Sequence, residues 1–234
     1  MADGKQPMNT APQLPDILGV LAELLRRSGA VLGLLVAGLG LANLLLGFVD
    51  GIVFPGDRPG FGLISFTLLA VPLFAGAAAH RVLWDWSPGL SESLDVGTKA
   101  YVQLLGVIII SRIIVSVGLA LLVLPGLVAI IFLSLAPVII ISEGPGIGRA
   151  IGESVQRIAG AFVQVLLAYL VFGIGMLIAA FAVSFPLTLL TGGSERVMGA
   201  AVGALFSIGH VVFATAIYLA LQGRSGPQPA MSDA

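Results

Sequence analysis

From Tyr101 to Ser142 the chain runs for 42 residues with a single charge, Arg112, and from Ile113 onward with none. A helix needs about 20 mostly apolar residues to cross a hydrocarbon core about 30 Å thick. The stretch is therefore long enough for two membrane spans. Its surroundings agree: 58% of the 234 residues are hydrophobic and 10% are charged, against about 25% charged in soluble domains. A chain of this size leaves roughly a third of its unfolded-state surface accessible after folding, so so apolar a chain needs lipid as its solvent. The expected fold class is all-α, a polytopic integral membrane protein.

Charge-poor runs of spanning length fall at about 30–49, 61–83, 101–124, 126–142, 161–190 and 198–221. The third and fourth are divided at Pro125-Gly126, read as a tight outer turn. The alternative is a five-span chain with 101–112 at the interface. Residues 1–12 and 222–234, rich in Pro, Gln, Ser, Gly and Ala, read as disordered tails around a membrane domain at 13–221. No basic segment followed at once by a short apolar run opens the chain, so the first span is expected to be retained.

Orientation follows from Lys and Arg near the span ends. With the N-terminus inside, Lys5, Arg26, Arg27, Arg81, Lys99, Arg149, Arg157 and Arg224 are cytoplasmic, against Arg58 and Arg196 outside. Trp84 and Trp86 then sit in the interfacial belt. Both termini are expected in the cytoplasm, and the six spans form three hairpins. Polar, partly amphipathic segments at 15–27, 90–99 and 146–160 precede spans one, three and five. In the first, Leu14, Ile17, Leu18, Leu21, Leu24 and Leu25 recur at the spacing of a surface-lying helix. In the last, Ile147, Ile151, Val155 and Ile158 share one face, while Arg149, Glu153 and Arg157 form an i, i+4 ladder on another.

Several function classes drop out. A formal net charge of −1 with scattered basic residues offers no footprint for nucleic acid. The absence of cysteine removes disulfides, thiolate metal sites and a cysteine nucleophile. Two distant histidines without a metal-spaced carboxylate motif give no metal site. Gly144, Gly146 and Gly148 follow no strand and lack the third glycine of a dinucleotide fingerprint, so they read as a turn. No cofactor is expected, and no nucleophile and base share a helix face, so the chain is not read as an enzyme.

The most specific local pattern is LPGLVAIIFLSLAP at 124–137 followed by ISEGPGIGRAIGES at 141–154, with Gly160 after it. This order resembles the membrane-domain family found beside, or fused to, glycerophosphoryl diester phosphodiesterases, and related bacterial inner-membrane proteins of unknown function. The matching residues are Pro125 and Gly126 at the turn, Glu143 at the inner end of a span, and Ala150 and Ser154 on the following helix. Val155 stands where the family has an aromatic residue, and the chain has no phosphodiesterase domain. The resemblance implies a fold and an inner (plasma) membrane address, without the phosphodiesterase activity.

Two ionisable residues fall inside spans, where such groups face the bundle interior or water. Counted at 1.5 Å per residue, Arg112 lies about 20 Å and His210 about 18 Å below the outer surface, with Glu143 about 26 Å down. Arg112, Glu143 and His210 are the candidate buried polar site, with an Arg112 to Glu143 pair within the reach of a snorkelling arginine. Arg149 and Arg157 are candidate lipid-phosphate contacts on the cytoplasmic side. Gly29, Gly33 and Ala37, and Gly199, Gly203 and Ser207, are spaced for close helix approach within the bundle. The expected function is a non-enzymatic scaffold or accessory in membrane, envelope or lipid handling. Its partners are the bilayer, an anionic lipid and an unidentified membrane protein. The alternative is a small transporter or anionic-lipid binder built on the Arg112, Glu143 and His210 level.

Overall fold

The computed structural model describes residues 12–53, 69–84 and 89–223. They are helical almost throughout: α1 (Leu14–Val53), α2 (Val71–Leu83), α3 (Leu90–Lys99), α4 (Tyr101–Leu121), α5 (Val123–Leu133), α6 (Ala136–Glu143), α7 (Ile147–Ala159), α8 (Phe162–Thr191) and α9 (Glu195–Leu221). Four stretches are long and apolar enough to cross a membrane: α4, α5 with α6 (Val123–Glu143), α8 and α9. A fifth is counted if the two segments of α1, Leu14–Arg27 and Ala30–Leu46, which meet at 83°, are taken together as one bent span. Among the described residues the protein is all-helical, with four to five apolar helices of membrane length. Both expected tails lie outside the described residues apart from their inner edges, as do Lys5, Arg58, Trp86, Arg224 and the first part of the span expected at 61–83.

The core is organised around α9. From Val211 to Ala220 every residue is buried, with Phe213, Thr215, Ala216 and Ile217 fully so. Helix α1 packs along it most extensively, with α2 and α8 beside it. Small residues bring α1 and α9 together, though not through Gly33, Gly199 or Gly203. A methyl group on Gly40 would meet Ala204 Cβ at 3.8 Å and the Ala200 carbonyl at 3.9 Å, whereas Gly33, Gly199 and Gly203 face open space. At those three positions the expected stripes do not make the contact.

Helix α3 lies against α2 at backbone distance. A Cβ on Gly97 would come within 2.6 Å of the Leu73 carbonyl, and one on Gly76 within 2.9 Å of Gly97 Cα. Helices α4 and α5 form a hairpin whose turn is at Leu122 (φ −161°, ψ 144°), not at Pro125-Gly126. Those two residues belong to the first turn of α5. Proline is tolerated there because the first N–H groups of a helix have no intrahelical partner. Gly126 is needed for contact, since a side chain on it would collide with Leu119, and one on Gly118 would lie 2.9 Å from Gly126 Cα.

The span Val123–Glu143 is discontinuous. Helix α5 stops at Leu133 and α6 begins at Ala136 with Pro137 in its first turn, where proline removes one i to i−4 hydrogen bond. Helix α7 covers the break: buried Ser154 donates from Oγ to the Phe132 carbonyl at 2.6 Å. Ala150, Ser154 and Ile158 form the fully buried stripe of α7, while Val155 is exposed. The apolar face is thus rotated from the expected one toward the small residues, which let α7 wedge into the bundle.

Lipid-facing surface is concentrated on α4 and α8, where large apolar side chains such as Leu121 (74% exposed), Phe181 (73%) and Leu190 (82%) stand free. Contiguous exposure on this scale is foreign to soluble monomers. It is ordinary in hydrocarbon.

Candidate functional site

Glu143 ends α6. Gly144 adopts a left-handed conformation (φ 64°) that stops the helix, and Gly146 caps α7 three residues beyond Glu143. A carboxylate at a helix C-terminus meets the negative end of the macrodipole, so it needs a cation. Arg157 of α7 supplies one through Nη1 to Glu143 Oε1 at 2.7 Å and Nη2 to Oε2 at 2.9 Å. This two-pronged geometry is the strong form of the arginine to carboxylate bond.

Further groups converge on the pair. Tyr218 of α9 donates its hydroxyl to Glu143 Oε1 at 2.8 Å, and Ser142 Oγ donates to Tyr218 Oη at 2.9 Å. The Arg157 guanidinium carbon lies 5.4 Å from the Tyr218 ring centroid, within cation–π range. Glu153 accepts from Arg157 Nη2 at 3.0 Å and from Arg149 Nε at 2.8 Å, so the expected ladder along α7 forms. Glu143, with burial working against it and the Tyr218 hydroxyl adding to it, holds the Arg157 guanidinium above the usual arginine range. A cation so placed is lost only as pH rises through that elevated value, so it stays charged under all working conditions.

The network joins α6, α7 and α9, and each of its charges faces an opposite one. With Glu143 and Arg157 side chains about a third exposed, each pair is worth on the order of 1 kcal/mol. Its chemistry is that of a fastener. Arg157, expected as a lipid-phosphate contact, is committed to two carboxylates. Arg149 keeps a largely exposed side chain.

Arg112 does not reach Glu143. It lies on the accessible side of α4, at the margin of that helix's packed face, with half-buried Ile108 and Val115 one turn to either side. Glu143 is paired with Arg157 instead. His210 lies within electrostatic reach of Arg112 and packs against Tyr169 at 6.0 Å between ring centroids. Tyr169 also meets Phe213 edge-on at 4.8 Å. Its buried hydroxyl lies toward Ser134 without a hydrogen-bond partner, while Ser134 Oγ donates to the Ile131 carbonyl at 2.7 Å. Ser111 Oγ, beside Arg112, is likewise buried without a partner. The structure therefore groups Arg112 with His210 and leaves Glu143 out.

Sequence reasoning missed Tyr218, a tyrosine three residues before the end of α9 that falls level with Glu143 at the end of α6. It also missed the buried His80, whose Nδ1 lies 3.3 Å from Ser93 Oγ and whose ring stacks on Trp84 at 5.0 Å. Among the described residues no cluster of His, Asp and Glu is arranged to hold a metal ion. No family model matches the chain, and no curated protein or solved structure matches it.

Proposed function

We propose that this chain is a non-catalytic integral membrane protein, an accessory or scaffold in plasma-membrane, envelope or lipid handling. In this reading it has six spans in three hairpins and both termini in the cytoplasm. The observation that carries the proposal is the Glu143, Arg157 and Tyr218 fastener: a group of charged side chains joining three helices is saturated by its own members, which ties helices together instead of meeting a substrate. The two further spans of this reading are α1, its bent pair of segments taken as one span, and the stretch expected at 61–83, of which α2 is the described helix. The likeness of 124–160 to the phosphodiesterase-associated membrane domains supports the same address and a partner protein in the membrane.

The test is side-specific labelling in this natively cysteine-free chain. Single cysteines at Ser111, Ser134 and Ser207 are treated with a membrane-impermeant maleimide from each side of sealed vesicles. A scaffold with a dry interior leaves all three unlabelled while a control cysteine at Gly152 reacts. Labelling of Ser134 or Ser207 would establish an aqueous path and replace the scaffold with a small transporter.

A further inference from the structure

Arg112 sits near the middle of α4, nine residues from Leu121 and eleven from Tyr101, hence about 14 to 17 Å from either end. Among the described residues it forms no ion pair or hydrogen bond. An arginine at that depth is costly unless it meets an anion, a carbonyl or water. Ser111 is its neighbour on α4, His210 on α9 lies within its electrostatic reach, Tyr169 on α8 packs against His210 at 6.0 Å, and Ser134, at the break between α5 and α6, lies beside Tyr169. Two of these groups, Ser111 Oγ and Tyr169 Oη, are buried hydroxyls without partners. Buried polar atoms are nearly always satisfied, and exceptions ask for an explanation. Broken spans at mid-depth are also where membrane proteins commonly seat polar ligands.

Access to this level is lateral. The α4–α5 hairpin packs on itself and meets α8 only sparsely, and the accessible faces of α4 and α8 carry apolar side chains such as Ile113, Ile114, Val171 and Ile174. An occupant arriving by that route must have an apolar body for those faces and a compact oxyanion for the arginine. We infer that Arg112, with Ser111 and Tyr169, forms a seat for the oxyanion of an acyl-chain amphiphile that enters from the bilayer between α4 and α8. The guanidinium pairs with the phosphate or carboxylate, the two hydroxyls donate to its remaining oxygens, and the acyl chain lies along the apolar faces. His210 lines the inner wall of the seat. The inference goes beyond the scaffold reading and does not depend on it, since a seat open to lipid is still closed to an aqueous maleimide.

The test is native mass spectrometry of the full-length protein, released from detergent after incubation with dioleoyl phosphatidate, oleate or dioleoyl phosphatidylcholine. Wild type is expected to retain one phosphatidate or oleate and not the zwitterionic lipid. The oxyanion retained in excess identifies the head group. Arg112→Gln is expected to reduce retention at least tenfold and Tyr169→Phe several-fold, while Arg196→Gln leaves it unchanged. Arg112→Lys preserves the charge if the glutamine variant fails to fold, and is expected to bind more weakly than wild type because it lacks the two-pronged donor. Equal retention of phosphatidylcholine, or undiminished retention in both Arg112 variants, would overturn the inference.

Discussion

At the scale of single residues, the decisive assignment is the partner of Glu143. Removing a charge from a network costs more than the pair's net worth because the remaining group loses its compensation. Glu143→Gln and Arg157→Gln should each lower stability in detergent. Their double mutant should lose less than the sum, with a coupling on the order of 1 kcal/mol; strict additivity in a denaturation series would show that the two side chains do not act together. Ser154→Ala should cost about 1 to 3 kcal/mol, because it strands the Phe132 carbonyl in the interior. The sequence made Glu143, Arg157, Ala150 and Ser154 individually visible. Pairing was not legible from it, because depth along a span was counted from the outer surface, and a turn misplaced by three residues moves the estimates for both Arg112 and Glu143.

At the scale of helices, the apolar runs were read from charge spacing alone, and α4, α8 and α9 begin and end within about three residues of the expected limits. Two boundaries moved for a physical reason. Proline and glycine mark turns, but they also mark first helical turns and close approaches, and Pro125-Gly126 serves the latter roles while an unremarkable Leu122 makes the reversal. Glycine stripes misled for a related reason: a stripe proposes contact, and only the neighbouring helix decides which glycine meets it. Gly97 tests this directly. Alanine there must displace the Leu73 backbone, so Gly97→Ala should destabilise by about 1 to 3 kcal/mol, whereas Gly203→Ala, facing open space, should stay within about 0.5 kcal/mol. Equal losses in thermal unfolding would remove the account of how α2 and α3 meet.

At the scale of the whole molecule, the membrane class was legible because lipid imposes a length and a polarity that composition cannot disguise. Packing order was not, since every apolar helix looks alike to a neighbour in hydrocarbon and close fit decides among them. For the six-span arrangement, a cysteine at Ser194 is expected to react with impermeant maleimide from the outside only and one at Gly152 from the cytoplasmic side only; both reacting from one side would reduce the count of crossings between them to an even number. The central position of α9 carries a further consequence for biosynthesis. The helix that α1, α2 and α8 pack around leaves the ribosome after all of them, so their permanent contacts cannot form while the earlier segments enter the bilayer. Insertion and assembly are separated in time, and a nascent chain halted before Glu195 would be a set of inserted helices still waiting for their axle, the state on which membrane quality control would act.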